Sequence, residues 1–99
     1  MEKFSEIINS DRLVLVDFFA EWCGPCRTMK PILEDLKKKI GDSTTVLKID
    51  VDKNPQAANV YKIQGIPTLI LFDKGKIVWR QSGVIAANQL EQIIHQYSK

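Results

Sequence analysis

Two cysteines three positions apart carry the most chemistry in this chain, in Trp22-Cys23-Gly24-Pro25-Cys26. They are its only cysteines. Residues i and i+3 on a helical turn share a face, close enough for a disulfide. A loop this small constrains little of the unfolded chain, so the pair is a poor structural staple. With no secretory signal in view, the spacing points to redox chemistry or to metal. The segment follows an apolar strand and opens a helix, which puts Cys23 at a helix N-terminus. Free backbone N–H groups and the positive end of the dipole favour a thiolate there. Pro25 suits a first turn, where its missing N–H is not needed, and it stiffens the stretch between the sulfurs. A zinc site wants four ligands. The single histidine, His95, is far along the chain between Ile94 and Gln96. Zinc would need thiolates shared across a dimer, and His95 is most simply solvent-facing.

Three further features lie outside this segment. Asp17 interrupts the apolar run Leu13-Val14-Leu15-Val16-Asp17-Phe18-Phe19. A carboxylate inside an apolar sheet has a raised pKa from desolvation, which would suit a proton acceptor for Cys26 near neutral pH. The alternatives are an acid at an exposed strand end or one satisfied by an N–H. Lys48 sits mid-strand on a neighbouring strand, either paired with Asp17 or snorkelling at the surface. Gly65-Ile66-Pro67-Thr68 brings a proline into a buried strand, where it removes a ladder donor. Either it simply starts the strand, or it forms a cis bond in a tight turn beside the active site.

The elements that must position these residues follow from periodicity. Phe4, Ile7 and Ile8 recur at helical spacing and predict a short first helix. The Leu13–Phe19 run is apolar on both faces and predicts a central, doubly covered strand. Cys26, Met29, Leu33, Leu36 and Ile40 share one helix face, and Gly41 stands where a C-cap belongs. Residues 45–51 predict a second strand. Asn54-Pro55 reads as N-cap and first residue of a short helix ending near Tyr61. Residues 68–72 and 77–81 flank Asp73-Lys74-Gly75-Lys76 as a β-hairpin. Leu90, Ile93, Ile94 and Tyr97 mark a closing amphipathic helix, poorly capped by Ala86-Ala87. The order α-β-α-β-α-β-β-α predicts one α/β domain spanning residues 1–99, a small mixed sheet with helices on both faces.

Composition narrows the function classes. The chain has 99 residues, 44% hydrophobic and 26% charged, with a net charge of +2. That balance excludes a disordered polyelectrolyte, a collagen-like repeat and a coiled-coil rod. A weak, dispersed positive charge does not suggest nucleic acid. Lys37-Lys38-Lys39 suits the end of a helix. No apolar run approaches the ~18 residues of a membrane span. The first residues lack signal architecture, so the expected location is cytoplasmic, a leader removed beforehand being invisible.

Taken together these residues resemble the thioredoxin family. The resemblance runs from Leu13 to Tyr97. It rests on residues 16–26, on Lys48-Ile49-Asp50-Val51-Asp52-Lys53-Asn54-Pro55, on Gly65-Ile66-Pro67-Thr68-Leu69, and on Gly83 after the hairpin. A lone CxxC is a weak signal; WCGPC with the upstream Asp and the downstream IPT is a strong one. The resemblance implies a thioredoxin-like fold and a reductase of protein disulfides. Cys23 would be the exposed attacking thiol and Cys26 the shielded resolving thiol. Asp17 would be the buried acid that moves the proton, with Lys48 its charge partner. Pro67 would be a cis-proline that keeps metals off the sulfurs and leaves the Ile66 backbone free for an extended substrate. Trp22, Gly24, Pro25, Ile66, Gly83 and Val84 would form the apolar rim that meets client proteins. No cofactor is implied beyond the redox-active Cys23–Cys26 disulfide. The implied electron donor is a flavin-dependent, NADPH-linked thioredoxin reductase, and a monomer is expected.

Magnitudes show what a lowered thiol pKa can achieve. A thiol of pKa ~8.5 is about 3% thiolate at pH 7, and one at the ~7 that belongs to thioredoxin itself is about half. That gain of roughly fifteen-fold is offset about five-fold by lower nucleophilicity. Most of the catalysis must come from positioning the target disulfide, from the nearby second thiol, and from Cys23 as a leaving group. Gly24-Pro25 argues for a reductant, since oxidising relatives often carry a histidine there. An oxidant or isomerase, and a module that only binds partners through the Trp22 rim, are the other readings. Three departures from the family pattern stand out. Only about twelve residues precede Leu13, too few for the family's first strand and a full helix, so four strands are expected, with one edge less protected. Phe19 replaces a frequent tryptophan and lacks its indole N–H. Ser82 is more polar than the usual residue before Gly83.

Overall fold

The computed structural model describes residues 2–98. Strand β1 (Leu13–Phe19) is central. It pairs in parallel with β2 (Thr44–Asp50) and antiparallel with β3 (Thr68–Asp73), which pairs antiparallel with β4 (Lys76–Ser82). The order β2-β1-β3-β4 is the four-stranded mixed sheet expected.

Alternation along β1 explains the layers. Leu13 and Leu15 join Met29, Leu33 and Leu36 of α2 (Gly24–Ile40) and Leu90 and Ile94 of α4 (Ala87–Tyr97). Val14, Val16 and Phe18 point the other way, joining Phe4 and Ile8 of α1 (Glu2–Ile8) and Ala57 of α3 (Pro55–Val60). Each face of the sheet thus carries two helices.

The second helix starts and stops as its sequence dictates. Cys23 is the N-cap in extended conformation, and its sulfur accepts the Cys26 N–H at 3.2 Å. Pro25 lies in the first turn, and Gly41 closes the helix at φ 59, its N–H donating to the Lys37 carbonyl. Ala86 caps α4 without a side-chain bond, as Ala86-Ala87 predicts.

Some expectations need correcting. Asn54 stands at the N-cap of α3, yet its side chain makes no cap bond. Its amide Nδ2 donates to the Asp50 carbonyl at 3.0 Å, satisfying the turn that leaves β2 instead. The strand over residues 45–51 begins and ends one residue earlier. Val51 lies just past the end of the β1–β2 ladder, although its N–H still donates to the Phe19 carbonyl at 2.8 Å. The hairpin turn is tighter than a four-residue loop, because Asp73 pairs with Lys76. Only Lys74 and Gly75 remain between the strands, both at positive φ (51 and 85), as a two-residue turn of the favoured hand requires. The Gly75 N–H donates to the Ile8 carbonyl at 2.8 Å. A Cβ on Gly75 would overlap the Asn9 side chain, so this approach of α1 to the hairpin needs glycine.

Candidate functional site

The C-terminal end of β1 delivers Ala20, Glu21 and Trp22 to the start of α2. There Cys23 and Cys26 form a disulfide with a Cα–Cα separation of 5.3 Å. Both residues are buried, each 4% exposed, packed with Ala20 and partly with Phe19, Val51 and Ile66. The exposed thiol that the family resemblance implies for Cys23 is therefore not exposed in the disulfide form. Ile66 lies over it, its carbonyl oxygen 3.7 Å from Cys23 Sγ.

The Ile66–Pro67 bond is cis. Pro67 is buried and Ile66 half-buried. The Pro67 carbonyl accepts the Gly83 N–H at 2.8 Å, which joins the end of β4 to the cysteine side of the molecule. Gly83 has φ 98, a conformation glycine adopts without penalty. Two residues on, the Ile85 N–H donates to Met29 Sδ at 3.4 Å. Around the disulfide, Gly24 and Pro25 are exposed, as are Trp22 (69%) and Val84 (46%). These are two of the four large apolar side chains that the protein exposes among the described residues.

Trp22 is nevertheless held. Its indole Nε1 donates to Asp52 Oδ2 at 2.8 Å, and the Asp52 N–H donates to Asp50 Oδ1 at 2.9 Å. Asp52 is a site residue that sequence reasoning missed. The acid was visible between β2 and α3, but thirty positions separate it from Trp22, and only the parallel β1–β2 pairing brings the two together.

Asp17 is wholly buried, and neither carboxylate oxygen has a hydrogen-bond partner. Burial pushes its pKa up to about 6, against a smaller lowering by the Lys48 charge. Asp17 shares the β1 face with Leu13 and Leu15, the face packed on the helix that bears Cys26. Lys48 stands opposite Asp17 in the β1–β2 register. It is exposed, and its Nζ sits 4.6 Å from the centroid of the Phe19 ring. Of the two sequence alternatives, the surface one describes its position; the charge still reaches Asp17 through space. Phe19 thus supplies a seat for the ammonium group. A cleft of about 330 Å³ opens beside Cys26, lined by Phe19, Ala20, Glu21, Arg27, Lys30 and Lys48. Solvent reaches the Cys26 side through it, and Arg27 helps shape it by donating from Nη2 to the Glu21 carbonyl at 3.0 Å.

This arrangement can do two-electron sulfur chemistry. A helix N-terminus and the Cys26 N–H stabilise charge on Cys23, and an acid of near-neutral pKa lies under the same helix. The described residues hold no group of three or more metal-capable side chains, and His95 is exposed on α4. No described helix is long and apolar enough to cross a membrane.

The sequence matches the family model described as Thioredoxin over residues 1–96. It is 48% identical over 92 residues to the chloroplastic thioredoxin Y of Oryza sativa, covering 92% of this chain and 55% of that protein. It is 44% identical over 93 residues to a thioredoxin of Buchnera aphidicola, covering 94% and 85%. The chain therefore spans about half the length of the plant relatives and most of the bacterial one. Among solved structures, a mutant thioredoxin from Halobacterium salinarum superposes with a TM-score of 0.90 at 34% identity, covering 100% of this chain and 86% of that one.

Proposed function

This chain belongs to the thioredoxin family, and from that premise we propose that it is a dithiol–disulfide oxidoreductase that reduces disulfides in other proteins. The observation that carries the reading is the Cys23–Cys26 pair at the start of α2, with the Ile66 carbonyl against Cys23.

The cycle starts from the dithiol form. The Cys23 thiolate attacks one sulfur of the client disulfide. A Cys23–client bond forms, the client S–S bond breaks, and the leaving client thiolate takes up a proton. The Asp17 carboxylate, its charge partly offset by Lys48, accepts the proton of Cys26 and becomes neutral. The Cys26 thiolate attacks Cys23 Sγ, closing the protein disulfide and expelling the second client thiolate, which is protonated in turn. Two electrons have passed to the client, with one proton that originates on Cys26 and one from solvent, which holds the proton that Cys23 gave up. Cys26 attacks within a preset loop, so the step pays little of the entropy of bringing reactants together. Trp22, Gly24, Pro25, Gly83 and Val84 offer the client an apolar surface, and the Ile66 backbone offers it hydrogen bonds. The protein acts as a monomer in the cytoplasm, needs no cofactor beyond its own disulfide, and is returned to the dithiol form by an NADPH-linked flavoprotein thioredoxin reductase.

Trapping tests this directly. With Cys26→Ser, the first step proceeds and the second cannot, so insulin incubated with the reduced variant accumulates as a covalent adduct on Cys23. Cys23→Ser gives no adduct. If the Cys26→Ser variant forms none either, the reading fails. Retention of a bound partner by the double serine variant would then favour a binding module.

A further inference from the structure

Three features outside the disulfide lie along β4 and at its end, and they converge on the loop that carries Ile66. The first is Ser82, whose hydroxyl lies 2.8 Å from Thr68 Oγ1. Thr68 is wholly buried, and its Oγ1 also donates to the Gly65 carbonyl. A threonine hydroxyl has one proton, and a carbonyl only accepts. The proton of Thr68 is therefore spent on Gly65, and Ser82 must be the donor to Thr68. The hydroxyls form a directed chain, Ser82 to Thr68 to Gly65, in which each bond polarises the next. The second is Arg80, which donates from Nη1 to the Tyr61 carbonyl and from Nη2 to the Lys62 carbonyl, the latter at 2.8 Å. Lys62 stands at φ 52, where the chain turns out of α3 towards Ile66. The third is the Gly83 N–H on the Pro67 carbonyl.

We propose that Ser82 and Arg80 are positioning residues that brace the 62–67 loop from the edge strand, so that the Ile66 backbone is already aligned when a client arrives. The proposal rests on the reductase reading above and adds to it a basis for client affinity. Neither residue touches the sulfurs. Their effect should fall on substrates that need the loop and spare those that only need Cys23. The polar residue at 82, where an apolar one is usual for the family, then acts inward on Thr68 and the loop.

The test compares two substrates, with dithiothreitol as reductant: insulin, a protein disulfide, and hydroxyethyl disulfide, which is too small to span the loop. Valine and threonine have nearly the same shape, so Ser82→Val and Ser82→Thr at one position differ chiefly in the hydroxyl. Ser82→Val should raise KM for insulin about fivefold, the worth of roughly one hydrogen bond. It should leave kcat for insulin and turnover of hydroxyethyl disulfide within about twofold, and Ser82→Thr should restore the insulin KM. Arg80→Ala should act in the same direction and Arg80→Lys should recover only part of the loss, since one ammonium cannot reproduce the fork. Equal insulin KM for Ser82→Val, Ser82→Thr and the parent protein overturns the proposal and leaves the reductase reading standing. Equal losses on both substrates also overturn it, by making the effect one on the cysteines or on the fold. A parent protein inactive on both substrates overturns the reductase reading, and the proposal with it.

Discussion

Asp17 is the residue at which function costs stability. Its side chain is buried with no hydrogen-bond partner, and burial raises its pKa from 3.8 to about 6. The native state therefore holds this proton more tightly than the unfolded chain does. Stability is fully present below about pH 4 and declines as pH rises through about 6, where the native carboxyl ionises. The loss approaches about 3 kcal/mol above neutrality. Asp17→Asn removes the titration. Its unfolding free energy should exceed that of the parent by about 2–3 kcal/mol at pH 7.5, and the two should converge near pH 4. Urea unfolding at both pH values checks this, and a pH-independent difference would contradict it. The same variant should slow resolution of the Cys23–client mixed disulfide, because Cys26 loses its proton acceptor. Asp17 was legible in the sequence because an acid inside an apolar strand is anomalous by itself. Asp52 and the inward bond of Ser82 were not, because each depends on a partner brought close only by strand pairing. Lys48 was half legible: its place mid-strand beside the Asp17 strand is readable from the sequence, but its register opposite Asp17 and its rest above Phe19 depend on the strand pairing.

At the scale of elements, the sequence reported types well and ends less well. Every predicted helix and strand is present, because apolar periodicity is local and each element buries the stripe that announces it. The details differ where one local bond displaces another inside a turn, as when the Asn54 amide donates to the Asp50 carbonyl and when Asp73 pairs with Lys76. The four-stranded sheet leaves β2 as an edge beside the central strand. Lys48 in its middle is the kind of charge that discourages further strands from adding there. The first helix, α1, is only seven residues long, too short to persist without tertiary packing. Phe4 anchors it. The ring meets Tyr61 at 5.9 Å and Phe72 at 6.1 Å between centroids, both near-perpendicular. Burial within this cluster also raises the Tyr61 pKa. Phe4→Ala should cost about 3–4 kcal/mol, read as a lower urea midpoint by circular dichroism. Trapping of insulin by Cys23 should persist below that midpoint, since the cluster lies on the sheet face opposite α2. A loss under 1 kcal/mol would mean that α1 is a loosely docked appendage.

For the whole molecule, the redox reaction and the folding reaction are two sides of one thermodynamic cycle. The native pair's potential differs from that of the same cysteines in the unfolded chain by the difference in stability between the disulfide and dithiol forms. About 30 mV corresponds to 1.4 kcal/mol for this two-electron couple. The sign separates the two redox readings. If the fold favours the disulfide, the dithiol is eager to give up its electrons and the protein is a reductant. If the fold favours the dithiol, by stabilising a Cys23 thiolate strongly enough, the protein is an oxidant. The structure holds features on both sides. The helix N-terminus and the Cys26 N–H favour the thiolate. Against them, Cys23 is 4% exposed and packed with Ala20, Phe19 and Ile66, surroundings in which a neutral disulfide costs less than a charge. The buried, unpartnered carboxyl of Asp17 adds to this at neutral pH, because a second negative charge nearby opposes a thiolate. We expect burial to win. The disulfide form should melt above the dithiol form at pH 7, by several degrees for each kcal/mol in a domain of this size. The potential measured against a dithiothreitol or glutathione buffer should lie correspondingly towards the reducing end. A dithiol form that melts higher would make the chain an oxidant or isomerase and would overturn the direction of electron flow proposed here.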